Sequence, residues 1–286
     1  MKVGFVGLGI MGAPMAANLI GAGFALNVYN RTPGKCEALE RLGAKAYPKP
    51  SKLASASEVV VTIVSDTPDV EAVLFGENGL VEGLEPGSVV IDMSTISPTR
   101  TVEFAARLAD RQVDMLDAPV SGGDKGAIAG TLSIMVGGKQ EAFNRCLPLF
   151  EAMGRNIVYA GSSGSGQKTK LVNQVVGSLN LLAMIEGLRM AEKAGLDPQR
   201  TLDAVGAGAA GSWMWTHLGP RVAQRDFAPG FMIRLHQKDL RLAAEFMRDL
   251  GIDMPGTALS HELFTEALHK GLGEQGNQGL YQLWES

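Results

Sequence analysis

The stretch "VGFVGLGIMGAPMAANL", residues 3–19, places Gly7, Gly9 and Gly12 directly after a β-rich apolar run and directly before a helical pattern. In a GxGxxG turn of this kind the first glycine permits the tight bend. The second lets the backbone approach a pyrophosphate, and the third allows helix to pack closely on strand. Bare amides and the dipole at the helix start suit a phosphate pair. GxGxxG alone is a weak signal, because glycines mark ordinary turns; between a strand and a helix that open a βαβ pattern it becomes strong. Gly7, Leu8, Gly9, Ile10, Met11 and Gly12 are therefore the candidate dinucleotide loop.

The pattern that follows agrees. Strands are expected at Val3–Val6, Ala25–Tyr29, Val59–Ile63, Val89–Asp92, Met115–Asp117, Thr131–Val136 and Ile157–Tyr159, with helices at Gly12–Ala22, Pro33–Leu42, Pro98–Asp110 and Gln140–Met153. Such alternation predicts a Rossmann-like α/β domain, a parallel sheet with helices on both faces. Near-continuous apolar runs such as "EVVVTIV" and "GSVVIDM" fit strands buried on both sides. After residue 161 strand signals stop. Residues 165–194 read as one very long helix, and shorter helices follow, punctuated by Pro and Gly pairs. The expected division is 1–162, a dinucleotide-binding domain, and 163–286, an all-α domain joined to it by the long helix. The junction falls in "AGSSGSG", residues 160–166.

Composition narrows the function classes. A chain of 286 residues, 45% hydrophobic and 20% charged, suits two modest domains with real cores. Its net charge of −4, without a basic block, points away from nucleic acid or an anionic membrane as partner. Cys36 and Cys146 match no metal spacing and fit a reduced, cytoplasmic setting. His217, His236, His261 and His269 form no HxxxH or HExxH pattern, so no metal site is expected. The stretch between Lys2 and Arg31 carries no charge, as a secretory signal would, but it holds Pro14, Asn18, Asn27 and six glycines. It breaks into strand, turn and helix, and is read as neither signal nor span.

The second strand ends "LNVYNRT". An NAD site usually has an acidic residue here for the ribose hydroxyls. Asn30, Arg31 and Thr32 replace it with an amide and a guanidinium that can clamp a 2′-phosphate. The expected cofactor is NADP(H), with NAD(H) less preferred; the plain reading of Arg31 is a solvated loop residue. Ser65 in "VSDTP" and Thr95 in "MSTIS" are the polar tips expected to complete the crevice. Asp66 or Thr67 before Pro68, and Ser97 before Pro98, also look like ordinary N-caps.

Two further stretches carry chemistry. In "DAPVSGGDKGAIAGTLSIMVGG" Ser121, Gly122 and Gly123 follow a strand and can cradle a carboxylate with bare amides and a hydroxyl. A glycine-rich turn is the bland alternative. In "GSGQKTKLVNQVVGSLNLL" the residues Lys170, Asn173, Gln174, Gly177 and Asn180 recur at helical spacing as a polar seam with apolar flanks. Lys170 and Asn173 are i and i+3 neighbours. A lysine on such a helix is expected to be partly desolvated and shifted towards proton transfer. It would give positive charge and a proton to a carbonyl oxygen under reduction, with Asn173 as helper. The bland alternative for a lysine near a helix start is a solvated face.

Four blocks resemble the β-hydroxyacid dehydrogenases, the family of 3-hydroxyisobutyrate dehydrogenase and tartronate semialdehyde reductase: "GFVGLGIMGAPMAANL", "DAPVSGGDKGAIAGTL", "GSGQKTKLVNQ" and "KDLRLA". They keep the family's order across most of the chain. The resemblance implies a Rossmann-like domain, a long helix and an all-helical domain, assembled as homodimers or homotetramers. It implies Lys170 as catalytic lysine with Asn173 its helper. Ser121, Gly122 and Gly123 become the substrate-carboxylate loop, and Phe231, Lys238 and Asp239 residues of the second domain near nicotinamide and substrate. Many members carry Asp at the position of Asn30; "NRT" resembles the NADPH-using branch, which often has a different residue at Gly123. "DMLDAPVSGG", "GTLSIMVGG" and "DFAPGFMIRLHQKDL" look most like tartronate semialdehyde reductase.

The expected activity is an NADPH-dependent reductase of small aldehyde acids, reversible as a 3-hydroxyacid dehydrogenase. Succinic semialdehyde/glyoxylate reductase and 3-hydroxyisobutyrate dehydrogenase stay open beside it. So do a non-catalytic dinucleotide scaffold or redox sensor and an imine reductase, though the presence of Lys170 speaks against both.

Overall fold

In the computed structural model, which describes residues 1–285, nine strands form one sheet: β1 (Lys2–Val6), β2 (Ala25–Tyr29), β3 (Lys45–Ala46), β4 (Val59–Thr62), β5 (Val89–Asp92), β6 (Asp114–Asp117), β7 (Val120–Ser121), β8 (Leu132–Gly137) and β9 (Gly154–Gly161). Their order is β3-β2-β1-β4-β5-β6-β8-β7, with β9 paired to β8. The chain winds outwards from β1 to β3, then returns to the other side of β1 with β4. That reversal makes the carboxyl ends of β1 and β4 the switch point where a doubly wound sheet takes its ligand.

The inner strands β4 and β5 are buried along their whole length. Alternation splits their side chains between two cores. Val59, Val61, Val89 and Ile91 face one core with Phe5, Met15 and Leu19. Val60 and Val90 face the other with Leu53, Leu74 and Phe104. The covering helices are α1 (Gly12–Gly21), α2 (Glu37–Glu40), α3 (Pro50–Ala54), α4 (Thr67–Phe75), α5 (Pro98–Ala109), α6 (Gly123–Ala129) and α7 (Gln140–Met153). The caps expected for two of them are present. The Asp66 carboxylate accepts from the Thr67 amide and the Ser97 hydroxyl from the Arg100 amide.

Two expectations need correction. The sheet is mixed: β8 runs antiparallel to β6 and β7. Only two residues separate β6 from β7, and the link from β7 to β8 holds one seven-residue helix, too little for a parallel crossover. The helix expected over Pro33–Leu42 breaks into a 3₁₀ turn, Pro33–Lys35, and the single turn of α2. Gly34 weakens it inside and Gly43, at φ +99°, ends it. Helices α3 and α6 and strands β3 and β7 are additions to the expected elements, each too short for a clear period, and of α4 only the N-cap is legible.

The chain forms two compact units that meet in sequence after Lys170. The helix α8 (Ser165–Lys193) begins in the first unit and continues into the second. Its 29 residues span about 43 Å. By length and composition α8 could cross a membrane. Its buried polar residues, Gln167, Gln174 and Ser178, mark it instead as the core helix of a folded domain. The second unit continues with α9 (Pro198–Gly206), α10 (Trp213–Ala223), α11 (Ile233–Asp249) and α12 (Pro255–His269), then a 3₁₀ segment, Asn277–Trp284. Its core gathers Leu181, Ile185, Trp215, Leu240 and Phe264. The buried Trp215 indole donates to the Leu202 carbonyl at 3.0 Å, which satisfies its one polar group.

Candidate active site

The three loop glycines divide into two kinds. A Cβ on Gly7, at φ +97°, would lie 2.1 Å from the Ile63 carbonyl oxygen, and one on Gly12 would lie 1.9 Å from that of Gly7. These two are demanded by the fold itself. A Cβ on Gly9 meets nothing within 4 Å. The fold itself therefore makes no demand for glycine at this position. No side chain caps the start of α1, where the Ala13 amide donates to the Gly9 carbonyl at 3.1 Å and Pro14 has no N–H, so it is the positive end of the helix dipole that suits an incoming anion. Open space at Gly9 beside an uncapped helix start fits a dinucleotide pyrophosphate.

Asn30 has a use that sequence reading missed. Its side-chain oxygen accepts from the Leu8 amide at 2.9 Å, and its amide group donates to the Thr32 carbonyl at 2.9 Å. It ties the glycine loop to the end of β2. The Leu8 amide is thereby taken up by the protein. Arg31 is 91% exposed and stands 3.9 Å from Asp69, a loose surface pair that leaves the guanidinium able to swing.

Ser65 and Thr95 lie on the loops after β4 and β5, the first exposed and the second half-buried. The loops are joined by two bonds. The Val64 amide donates to the Ser94 hydroxyl at 2.9 Å, and the Ser97 amide to the Thr67 hydroxyl at 3.1 Å. Ser121 ends β7, and Gly122 and Gly123 follow at φ +137° and +64°. A residue with a Cβ would be strained at either position. Beside Gly123 a Cβ would meet nothing within 4 Å.

Below these loops two aspartates face each other across neighbouring strands, Asp92 on β5 and Asp117 on β6. Burial pushes both carboxyls up to about 6, against hydrogen bonds that lower them. One Asp92 oxygen accepts from the hydroxyls of Thr62 and Ser94, each at 2.7 Å; the other, Oδ2, has no partner. Asp117 accepts from the Gly164 amide at 2.8 Å and the Gln167 amide at 2.9 Å. It thus caps the first turn of α8. A Cβ on Gly166 would lie 2.4 Å from the carbonyl oxygens of Asp117 and Met135. The glycine-rich junction therefore presses the helix start onto the sheet.

Lys170 follows on this anchored turn and is 6% exposed. The polar seam of α8 differs from the expected one. Its buried members are Gln167, Lys170, Gln174 and Ser178, while Asn173, Gly177 and Asn180 are half-buried. One apolar flank is uncovered in the single chain, with Val172 63%, Val176 54% and Leu179 37% exposed.

In the second unit the Asn173 side chain donates to the Gln174 side-chain oxygen at 2.8 Å. Gln174 donates to Asp239 Oδ2 at 2.5 Å, and Lys238 lies 2.7 Å from Asp239 Oδ1. Asn173, Lys238 and Asp239 are thus brought into one chain through Gln174, which composition alone did not single out for a role. Both Asp239 oxygens are held by protein groups. Phe231 stands apart from this chain, its ring 5.2 Å from that of His236. Among the described residues no three His, Cys, Asp or Glu side chains gather as a metal site.

Comparison with known proteins places these features in context. Residues 2–161 match the model of the NAD binding domain of 6-phosphogluconate dehydrogenase. Residues 164–284 match the NAD-binding domain of NADP-dependent 3-hydroxyisobutyrate dehydrogenase. The chain is 45% identical to 2-hydroxy-3-oxopropionate reductase of Escherichia coli, over 100% of its own length and 97% of the relative's. The solved 3-hydroxyisobutyrate dehydrogenase of Mycobacterium tuberculosis with L-serine superposes with a TM-score of 0.90 at 30% identity, covering 100% of this chain and 99% of that one. The structure of Psf3 in complex with NADP+ and 2-OPP gives 0.91 at 28% identity, covering 98% of this chain and 99% of that one.

Proposed function

The chain belongs to the β-hydroxyacid dehydrogenase family, and from that premise we propose that it reduces small aldehyde acids with NADPH, tartronate semialdehyde first among them. It is an oxidoreductase acting on the hydroxyl group of hydroxy acids, with a nicotinamide dinucleotide as cofactor. The substrate assignment draws on the 45% identity to the Escherichia coli 2-hydroxy-3-oxopropionate reductase, another name for tartronate semialdehyde reductase. The preference for NADP(H) over NAD(H) draws on Asn30, which sets no negative charge against a 2′-phosphate, and on the exposed Arg31 next to it.

The observation that carries the reading is Lys170, 6% exposed on a helix whose first turn is anchored to the sheet by Asp117. A buried ammonium is a strong electrostatic partner for developing negative charge. When bound, the dinucleotide supplies or accepts the hydride. Gly9 and the start of α1 would hold the pyrophosphate, and Arg31, with Thr32 beside it, the adenosine 2′-phosphate. Ser65 and Thr95, and Phe231 and Lys238 of the second unit, would hold the remainder of the cofactor. Ser121, Gly122 and Gly123 bind the substrate carboxylate and so fix the distance to its carbonyl. Lys170 donates a proton to the carbonyl oxygen as the alcohol forms. In the reverse direction neutral Lys170 takes the hydroxyl proton. Asn173 would hold the substrate hydroxyl or orient the lysine, and Asp239 is assigned to the substrate. The protein acts in the cytoplasm as a homodimer or homotetramer, the exposed Val172, Val176 and Leu179 supplying an apolar contact.

The test is a side-by-side comparison of kcat/KM on tartronate semialdehyde, methylmalonate semialdehyde and succinic semialdehyde, each with NADPH and NADH. A clear lead for tartronate semialdehyde with NADPH is expected. A lead for either of the others reassigns the substrate, and a lead for NADH reassigns the cofactor.

A further inference from the structure

Gln167 is fully buried, with no exposed surface, and yet polar. A buried amide is costly unless its donor and acceptor are both met. Here both are. Its side-chain oxygen accepts from the Ile96 amide at 3.1 Å, and its side-chain nitrogen donates to the Ser94 carbonyl at 2.8 Å. The side chain pairs with backbone as a neighbouring strand would, one residue to either side of Thr95. Asparagine is one methylene too short for this reach, glutamate lacks the donor, and leucine lacks both groups. Ser94 is held from its other side by Asp92 and Val64. The loop that carries Thr95 is therefore clasped between β5 and the first turn of α8.

Lys170 stands three residues along the same helix, a rise of about 4.5 Å on the same face. The helix start does not depend on the Gln167 side chain for its attachment. Asp117 caps it through two backbone amides, and Gly166 brings it against the carbonyls of Asp117 and Met135. What the amide adds is the tie between that turn and the Thr95 loop. We infer that Gln167 is a positioning residue, which holds the Thr95 loop and Lys170 in a fixed relation and so sets the rate of turnover rather than the strength of binding. This rests on the proposed role of Lys170. All the residues of the clasp lie within the first unit.

The full-length chain with Gln167→Leu tests it. Two hydrogen bonds of ordinary strength correspond to about a ten- to hundredfold loss in kcat. The KM for the aldehyde acid and NADPH binding by fluorescence should stay within about threefold, because no group that touches either is removed. Independently of activity, hydrogen exchange at the Ile96 amide should speed up by at least about tenfold, while the Gly164 and Gln167 amides stay protected by Asp117. Wild-type kcat in the variant, or a loss of NADPH affinity that matches the loss of kcat, overturns the inference. Unchanged exchange at Ile96 overturns the clasp itself. If Gln167→Leu does not fold, Gln167→Met carries the same outcomes, since it keeps the unbranched length of the side chain and removes both the acceptor for Ile96 and the donor to Ser94. Failure of the functional reading shows differently: the wild type then turns over no aldehyde acid, or Lys170→Ala keeps full rate, while the exchange result still reports on the clasp.

Discussion

Asp92 and Asp117 sit side by side in register on β5 and β6, both buried, but only Asp92 leaves an oxygen without a partner. The Asp117 oxygens instead hold the start of α8. One pair of like groups thus serves two purposes, and their substitutions should differ in sign.

Burial raises both folded-state values from 3.8 to about 6. A carboxyl raised on folding contributes stability that is present in full below the unfolded value and lost as pH rises through the folded one. Between about pH 4 and 6 these two groups therefore lower the unfolding free energy as pH increases. For fully buried Asp92 the shift corresponds to about 3 kcal/mol at most. Asp92→Asn keeps the oxygen that Thr62 and Ser94 donate to and removes the charge. It should raise the melting temperature at pH 7 to 8 and match the wild type near pH 4. Asp117→Asn turns a donor towards backbone amides and should cost about 1–3 kcal/mol at neutral pH. Melting curves of both variants across pH 4–8 check the pair.

The loop glycines give a second contrast. Gly12→Ala drives a methyl group to within 1.9 Å of the Gly7 carbonyl oxygen, and the melting temperature should fall by several degrees or more. Gly9→Ala meets nothing within 4 Å and should leave the melting temperature within about a degree or two. It should still weaken NADPH binding by about tenfold or more, because the methyl group occupies the approach to the pyrophosphate. Equal effects of the two substitutions on stability would contradict this division.

Arg31→Ala should raise the KM for NADPH by about tenfold, the worth of a charge-assisted contact to phosphate, and leave that for NADH nearly unchanged. Since Arg31 is 91% exposed, its loss should not alter folding. A parallel rise for both dinucleotides would place the 2′-phosphate elsewhere.

Lys170→Ala should lower kcat by about a hundredfold or more, the usual contribution of a positioned general acid, with NADPH affinity nearly intact. Unchanged turnover in the variant would favour a dinucleotide-binding scaffold.

How much of this was legible in the sequence follows from the range of each interaction. Strands β1, β2, β4 and β5 and the glycine loop stand in local pattern: apolar runs, GxGxxG spacing, Pro and Gly punctuation. So do α8 and Lys170, whose helical period extends over 29 residues. The short pieces were lost because two residues in β3 or β7 hold no period to detect. The reversal of β8 was lost because strand direction depends on the connection rather than on the strand.

Chemistry divides along the same line. By themselves, residue types and spacing determined the fold class and the positions of the glycine turn and of the long helix that carries Lys170, since each is written within a few turns of chain. Only the tertiary structure decided the partners of Asn30, Asp117 and Gln167. Asn30 reaches Leu8 across 22 positions, Asp117 reaches Gly164 across 47, and Gln167 reaches Ile96 across 71. A hydrogen bond acts over about 3 Å in space and takes no account of separation along the chain, so such pairings exist only once the sheet has brought their strands and loops together.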